Sequence, residues 1–479
     1  MTSAALHQHQ VTGLAEHTSE VQPGFGFVAA AKDADRVRTH AQQAIAAGAK
    51  LIIVDRQSGV TETRLGETPV LQMDNLGQQK GAVAKEFYAD PSARMKCIGV
   101  TGTNGKTSIA YHVADLLEKT GRACGYCGTL GVGSLRELTY DDGTMTTPNA
   151  VALQRLLAEL ERADAHWCAM EISSHALDQK RAHDVNIECA IYSNLSRDHL
   201  DYHGTMQAYA QAKARLFTDF ALKSAVINIE DEYGRELVST LAGTSVQVIT
   251  YGQGGDWSWH RDGRQVIWNS PVGEFYAELN LIADYQIANV TSAMAAITAC
   301  GVGYEAWYPA LAGLRDVPGR MQMVQGGAAT QPDVVVDFAH TPDALEKVLN
   351  AVKPHCAGQL ICIVGCGGDR DKGKRPQMAA GAAEHSHAVW LTSDNPRSED
   401  PQAIVDDMLA GLDEEQRTRC RIEVDREQAI RQAIIQADTQ DLVVIAGKGH
   451  ETYQEIGAQK LPFDDAQMAR KYLNTREAH

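Results

Sequence analysis

From about residue 95 onward the chain alternates short apolar runs with stretches of helical period: "KCIGVTG", a helix over 105–120, "HWCAMEIS", "CAIYSNL", a helix over 206–217, and "SAVINIE". This alternation constrains the fold strongly. Strands of this kind pair in parallel, and each needs a helix to carry the chain back across the sheet. The pattern breaks at "RDVPGRMQ", 315–322, and restarts with "DVVVDFAH", "QLICIVGCGG", "HAVWLTSDN", "CRIEVD" and "DLVVIAGKGH", each followed by a helical stretch. Ahead of an earlier break at "YADPSARMK", 88–96, the runs "GFGFVAA" and "AKLIIVD" flank the helical "VRTHAQQAIAAGA". The reading is an α/β protein of three domains: a small N-terminal α/β domain over 1–90, a central parallel-sheet domain over 91–318, and a doubly wound C-terminal domain over 319–479. A chain of 479 residues is too long for one ordinary domain.

Charge and composition exclude several classes. A net charge of −17 argues against a general nucleic-acid binder, because phosphate contacts need clustered Lys and Arg. No apolar run reaches the ~18 residues of a membrane span, and no basic-then-apolar leader opens the chain. The ten cysteines are scattered, and Cys97, Cys168, Cys189 and Cys362 fall in runs that read as buried strands. Such thiols suit a reducing cytoplasm. Cys124 and Cys127 have redox-pair spacing, but they follow a helix instead of opening one, and no second pair completes a zinc site.

In "IGVTGTNGKTS" a strand runs through glycines into a helix. Backbone N–H groups of such a loop approach phosphate oxygens, the helix N-terminus favours anions, Lys106 adds a point charge, and the Thr107 hydroxyl can ligate magnesium. Val100 stands where the usual first glycine falls. The loop makes the central domain P-loop ATPase-like, and by itself leaves kinase, switch GTPase and ligase open. Glu171 ends "CAMEI" and His199 lies in "NLSRDHLDYHG", on the same sheet edge, where a carboxylate beside phosphates is ordinary magnesium chemistry. Lys213 falls on the apolar face of its helix with Met206, Tyr209, Ala210, Leu216 and Phe217. Either it is a snorkelling lysine with a buried stem, or it points at the metal, where an anionic carbamylated lysine would suit a cation that a bare ammonium repels.

"FAHTPD", "GCGGDRDKGK", "SDNPR" and "GKGHE" each begin where a strand reading stops. Open parallel sheets bind ligands off those ends, which makes the C-terminal domain Rossmann-like in use as well as in pattern. Thr341 and Pro342 form an N-cap and first turn. "TSDNPRSEDP", 392–401, contains two prolines and reads as a loop, neither helix nor central strand. Alone it is a solvated turn. Beside three other polar loops, Arg397 reads as ligand-binding, with 398–401 left as a solvated lead into the next helix.

Together "GTNGKT", "EISSHAL", "NLSRDHLDYHG", the lysine of "YAQAKARLF", "AHTPDALE", "GCGGDRDKGKRP", "DNPR" and "GKGHE" resemble the Mur ligases of peptidoglycan synthesis, in consistent order over about residues 95–470. The N-terminal domain departs from the family: in "HTSEVQPG", Thr18 and Ser19 stand where Ser and Arg are expected.

The resemblance implies an ADP-forming acid–amino-acid ligase in the cytoplasm, serving cell-wall biogenesis and hence cell shape and division. It would add meso-diaminopimelate to UDP-N-acetylmuramoyl-L-alanyl-D-glutamate through an acyl phosphate, with ATP and Mg2+, as a monomer without nucleic acid or membrane insertion. Gly102, Thr103, Asn104, Gly105, Lys106, Thr107 and Ser108 would hold ATP phosphates, and Asn289 and Arg320 would position the nucleotide. Thr107 and Glu171 would hold one magnesium; His199 and carbamylated Lys213 would serve a second. Thr146, Thr147, Ser173, Gln179 and Arg181 would contact the UDP-sugar dipeptide. Arg370, Asp394, Asn395, Pro396, Arg397, Gly447 and Glu451 would bind the incoming amino acid.

In the resemblance, "DNPR" goes with diaminopimelate, while lysine-adding members differ at the arginine. The physics agrees, since the far carboxylate of diaminopimelate suits a guanidinium fork and its ammonium suits carboxylates. Two alternatives remain. One is another ligase of the same build, MurF-like or folylpolyglutamate synthetase-like, against which "DNPR" and "GKGHE" count. The other is a non-catalytic nucleotide-binding descendant, against which Lys106, Glu171, His199 and Lys213 count.

Overall fold

The computed structural model describes residues 6, 8–139, 145–263, 265–326 and 331–476. The chain forms two compact units, Met1–Leu279 with Ile287–Leu314, and Asn280–Gln286 with Arg315–His479. Among the described residues no helix is long and apolar enough to cross a membrane.

The first unit holds two parallel-rich sheets. Across the smaller one run Leu14–Ala15, Gly26–Ala29, Leu51–Asp55, Thr68–Met73 and Arg64–Leu65, all parallel except the last. Every residue of Leu51–Asp55 is buried, as a strand covered on both faces requires. Across the larger sheet run Gln247–Tyr251, Ser224–Asn228, Ile187–Tyr192, Lys96–Thr101, Trp167–Glu171, Cys124–Gly128, Gly131–Ser134 and Glu137–Thr139. The first six are mutually parallel, and the last two are added through antiparallel pairings. Lys96–Thr101 is therefore central, with Trp167–Glu171 and Ile187–Tyr192 on either side. Cys97, Cys124, Cys127, Cys168 and Cys189 are buried free thiols of this sheet. Burial pushes Cys97 up to about 12, and raises Cys124 and Cys127 further. Neither Cys124 nor Cys127 opens a helix, and at Cys124 a backbone hydrogen bond from Ala169 is outweighed by burial. A small antiparallel sheet of Ser258–Asp262, Gln265–Ser270 and Gly273–Glu278 has no counterpart in the sequence reading. Its core is aromatic: Trp268 stacks on Phe275 at 5.2 Å and donates to Thr291 Oγ1 at 2.8 Å.

In the second unit the strands run Gln322–Val324, Asp333–Asp337, Leu442–Ala446, Leu360–Cys366, Ala388–Ser393 and Cys420–Ile422, with only the first antiparallel. The last long strand in the chain sits between the second and third, which is the order reversal of a doubly wound sheet. Asp333–Asp337, Leu360–Cys366, Ala388–Ser393 and Leu442–Ala446 all point the same way, so the four polar loops leave one edge. Thr341 caps Pro342–Val352 by accepting from Ala344 N. The ends of "TSDNPRSEDP" belong to regular elements: Thr392 and Ser393 finish a strand, and Pro401 opens the helix Pro401–Leu409 with Asp400 as its cap.

One buried ion pair underlies that edge. Arg426 and Asp465 are fully buried, joined at 2.8 Å and 2.7 Å through Nε and Nη2. The same guanidinium donates to the carbonyls of Ser393 and Ala446, the last residues of two strands, at 3.3 Å and 3.0 Å. Arg426→Met leaves the Asp465 carboxylate buried without its partner, and unfolding in urea is expected to show a loss of about 3–5 kcal/mol. Adding Asp465→Leu to that variant recovers most of the loss; a single variant as stable as the parent contradicts the account.

Candidate active site

The phosphate-type loop emerges from the central strand Lys96–Thr101 and ends in the helix Lys106–Lys119. Its backbone is set by two glycines. Gly102 (φ +148°) lies so close to Ser193 Oγ that any side chain would collide, and Gly105 (φ +86°) has Asn289 Oδ1 2.7 Å from where a Cβ would stand. Asn289, 8% exposed, thus lies against the loop. The segment after Ile187–Tyr192 clamps the other side. Thr103 N donates to Asn194 O at 2.8 Å, Asn104 N to Asn194 Oδ1 at 3.0 Å, and Ser193 Oγ to Asn104 O at 2.6 Å. Ser108 is half-buried in the first helical turn.

Two lysines meet on one carbonyl. Lys106 Nζ donates to Gly102 O at 3.0 Å and Thr103 O at 2.9 Å, and Lys213 Nζ donates to Gly102 O at 2.6 Å. Lys213 is 1% exposed. Burial, and secondly the Lys106 charge, hold its ammonium pKa well below the usual lysine range. The helix Met206–Thr218 buries Tyr209, Ala210, Leu216 and Phe217 with it, as the spacing requires, while Met206 stays half-exposed. His199 has left-handed backbone (φ 51°) and caps the short helix Leu200–His203. Its half-exposed ring stands 4.8 Å from His175 and 6.1 Å from Tyr209. Lys213 Nζ is 4.4 Å from the same Tyr209 ring, yet His199 and Lys213 share no hydrogen bond. Among the described residues, no three His, Cys, Asp or Glu side chains are arranged to hold a metal.

Glu171 is fully buried at the end of Trp167–Glu171. One oxygen accepts from Tyr126 Oη at 2.7 Å and Thr129 N at 2.8 Å; the other accepts from Thr107 Oγ1 at 3.0 Å and Thr129 Oγ1 at 3.2 Å. Burial, and then the Glu171 charge, raise the Tyr126 phenol well above its usual range, so it remains a donor. A buried carboxylate oxygen beside a threonine hydroxyl at a phosphate-type loop is an oxygen-donor set that fits a hard cation such as magnesium. Tyr126 and Thr129 were legible only as neighbours of the paired cysteines.

The five residues read as substrate contacts form one cluster. Thr147 Oγ1 donates to Glu171 O at 2.8 Å and accepts from Ser173 N at 3.0 Å. Arg181 reaches Thr147 O at 3.1 Å and Gln179 Oε1 at 2.9 Å, and Thr146 Oγ1 lies 3.4 Å from Thr129 Oγ1. In the small sheet's region, Thr18 lines a cavity of about 350 Å3 with Glu16, Arg36, His40 and Lys80. Lys80 pairs with Glu16 at 2.9 Å, and desolvation still leaves the Glu16 carboxyl raised.

On the second unit, Asp394, Asn395, Arg397, Gly447 and Glu451 come together. Fully buried Lys448 donates to Asn395 Oδ1 at 3.0 Å and Glu451 Oε2 at 2.9 Å, and Asn395 Nδ2 donates to Glu451 Oε2 at 2.8 Å. Gly447 N donates to Asp337 O at 3.1 Å, and Pro396 O accepts from Glu399 N at 3.0 Å. Arg397 (φ 50°) donates from Nε to Glu455 at 3.0 Å and from Nη1 to Gly368 O at 2.8 Å. Arg370 is exposed, with Nη1 3.2 Å from Asp369 O. Arg320 lies over the Phe338 ring at 4.7 Å. Residues 398–400 form the exposed turn expected ahead of the helix at Pro401, and that turn is tethered as well as solvated. Ser398 Oγ donates to Asp369 at 2.7 Å, and Glu399 accepts from buried Arg375 at 2.8 Å and pairs with Lys372 at 3.0 Å. These bonds join the "DNPR" loop to "GGDRDKGK" and hold the Glu399 carboxyl far below the usual carboxylate range, Arg375 being the main cause. Lys448 was overlooked because its neighbours Gly447 and Glu451 carried the motif.

The chain belongs to the Mur ligase family. The family's middle domain matches residues 100–297, and its glutamate ligase domain matches 319–449. Within it the chain is similar to UDP-N-acetylmuramoyl-L-alanyl-D-glutamate--2,6-diaminopimelate ligases. That of Pseudomonas syringae pv. tomato is 42% identical over 95% of this chain and 93% of its own length. That of Chromobacterium violaceum is 41% identical over 95% and 92%. A solved structure of a diaminopimelate ligase of that name superposes with TM-score 0.71 at 37% identity, covering 98% of this chain and 96% of the other. MurF from Acinetobacter baumannii shares the fold, at TM-score 0.67 and 16% identity over 94% and 96%.

Proposed function

We infer that this chain is an ATP-dependent, amide-forming ligase that adds diaminopimelate to UDP-N-acetylmuramoyl-L-alanyl-D-glutamate in peptidoglycan precursor synthesis. The observation that carries the reading is the pair of lysines on the Gly102 carbonyl, one of them buried, in a chain of this family. ATP binds with its phosphates on the loop Gly102–Ser108 and on Lys106, with Asn289 and Arg320 positioning the nucleotide. Thr107 and Glu171 would hold a magnesium ion; His199 and carbamylated Lys213 would hold a second. Magnesium, when bound, neutralises phosphate charge as the phosphoryl group transfers. Thr146, Thr147, Ser173, Gln179 and Arg181 orient the dipeptide so that its D-glutamate carboxylate attacks the γ-phosphorus and ADP leaves. The far head of diaminopimelate binds Arg397, Asp394, Asn395 and Glu451 while its other amine attacks the acyl phosphate. The tetrahedral adduct then expels phosphate, so the chain's contribution is chiefly positioning and charge. The cavity beside Thr18 offers Arg36 and Lys80 in place of the missing family arginine, on a domain proposed to span 1–90, ahead of domains over 91–318 and 319–479. The reaction is a cytoplasmic step.

Phosphate release tests the reading. It is expected only when ATP, the UDP-sugar dipeptide and diaminopimelate are all present. Equal rates with lysine in place of diaminopimelate exclude the assignment, and release without any amino acid excludes the ligase.

A further inference from the structure

The loop that carries Arg397 does not hold its own shape. It is templated by a hairpin, Tyr453–Ile456 with Gln459–Pro462, which follows "GKGHE". Gln454 Nε2 donates to Asp394 O at 2.6 Å, and Glu455 N donates to Asn395 Oδ1 at 2.9 Å. Arg397 N then donates to Glu455 O at 3.0 Å, and Gly457 N to Arg397 O at 2.7 Å, making an isolated parallel bridge between Arg397 and Ile456. The arginine is thereby held at its positive φ, a conformation that costs a non-glycine residue roughly 1–2 kcal/mol and needs such support.

The side chain is gripped in the same way. Glu455 Oε2 accepts from Arg397 Nε, and the Gly368 carbonyl accepts from Nη1. The Arg397 and Glu455 side chains are mostly buried, at 21% and 29% exposure. Among the described residues neither Nη2 hydrogen has a partner. A guanidinium fixed through Nε presents its Nη1–Nη2 edge, the geometry that takes a carboxylate in two parallel bonds.

We propose that Glu455 is a positioning residue for amino-acid selection: it aims the Arg397 fork at the far carboxylate of a diamino-dicarboxylic acid, and so sets the preference for that class over a diamine acid such as lysine. The inference rests on the function proposed above. It adds a residue on a separate hairpin, outside the "DNPR" and "GKGHE" motifs. Lys448 acts on the other half of the ligand's head by fixing Asn395 and Glu451, whereas the Glu455 side chain acts on the arginine.

The test compares Glu455→Ala, Glu455→Gln and the parent chain. For each, KM is measured for diaminopimelate, ATP and the UDP-sugar dipeptide, together with kcat, turnover of lysine and the thermal midpoint. Loss of a charge-assisted bond that orients the fork is expected to raise the KM for diaminopimelate about tenfold or more in the alanine variant. Glutamine keeps an acceptor without the charge, so it recovers part of that rise. The KM values for ATP and dipeptide, the trace activity with lysine and the midpoint stay at parent values. A diaminopimelate KM within about twofold of the parent overturns the proposal, as does a rise shared by all three substrates, which marks a merely structural role. If the parent chain itself releases no phosphate with diaminopimelate, the reading of the whole site fails first, and that result is distinct from an unaltered Glu455 variant.

Discussion

Lys213→Ala is expected to lower kcat by about three orders of magnitude, the scale on which removing one preorganised charged group from a phosphoryl- or acyl-transfer site is felt. Lys213 is buried, it bonds the Gly102 carbonyl beneath the phosphate loop, and burial with the nearby Lys106 charge depresses its pKa. A depressed pKa raises the share of neutral amine, and the neutral amine is the form that adds carbon dioxide. The nitrogen forms a bond to carbon, a proton leaves, and a carbamate anion results. The charge at this point then changes sign, from one that opposes a cation to one that attracts it. Lys213→Arg keeps a positive charge but cannot form the carbamate, so it should be as inactive as the alanine variant while still binding nucleotide. Two measurements check this. Activity falls when dissolved carbon dioxide is stripped and returns with bicarbonate, and the intact chain is heavier by one carbon dioxide until it is acidified. An arginine variant with parental kcat, or activity indifferent to bicarbonate, removes the carbamate from the account.

Arg397→Ala is expected to remove most diaminopimelate ligation and to leave nucleotide binding in place. Truncating one partner of a buried, hydrogen-bonded charge pair costs about 2–5 kcal/mol. At about 1.4 kcal/mol per factor of ten, that is a loss of roughly 30-fold to several thousand-fold in kcat/KM. The ATP KM should move by no more than about twofold, because Arg397 lies in the second unit on a loop held by Glu455 and Gly368, far in sequence from Gly102–Ser108. Arg397→Lys should recover little, since an ammonium is a point charge and cannot make the paired bonds of the fork. Kinetics with diaminopimelate and with lysine in parallel decide it. Similar losses for both amino acids would mean that Arg397 supports the loop and does not read the far carboxylate.

What the sequence made legible was local. A strand running through glycines into a helix declares a phosphate-type loop because its backbone geometry is written in consecutive residues, and Gly102, Gly105, Lys106 and Thr107 stand as expected. Lys213 was legible from helical spacing, and the four polar loops from the ends of apolar runs. The long-range partners were not. Glu455 lies 58 positions from Arg397, Asp465 lies 39 from Arg426, and Glu171 draws its donors from Thr107 and from Tyr126 and Thr129, 64, 45 and 42 positions away. No period or motif connects such pairs; only the sheet order brings them together. The small antiparallel sheet was missed because it interrupts the βα alternation, and its aromatic core was not read as strand. The bonds that tether the exposed 398–400 turn were hidden for the same reason, since Asp369 and Arg375 come from another loop.

The Arg426 guanidinium, bonded to the ends of the strands that precede both Asp394 and Gly447, bears on how amino-acid choice in such a ligase could be re-engineered. The residues proposed to read the ligand are cantilevered from a shared anchor and cross-braced by the Tyr453–Ile456 hairpin. A swap of Arg397 alone therefore changes a contact without changing the frame that aims it. The transferable cassette is larger: the 394–400 loop, the 447–462 segment with its hairpin, the Gly368 carbonyl that steadies the fork, and the Arg426–Asp465 pair that anchors both strand ends. Grafted together onto a homologous sheet, these segments carry their own alignment with them; grafted separately, each arrives without its brace.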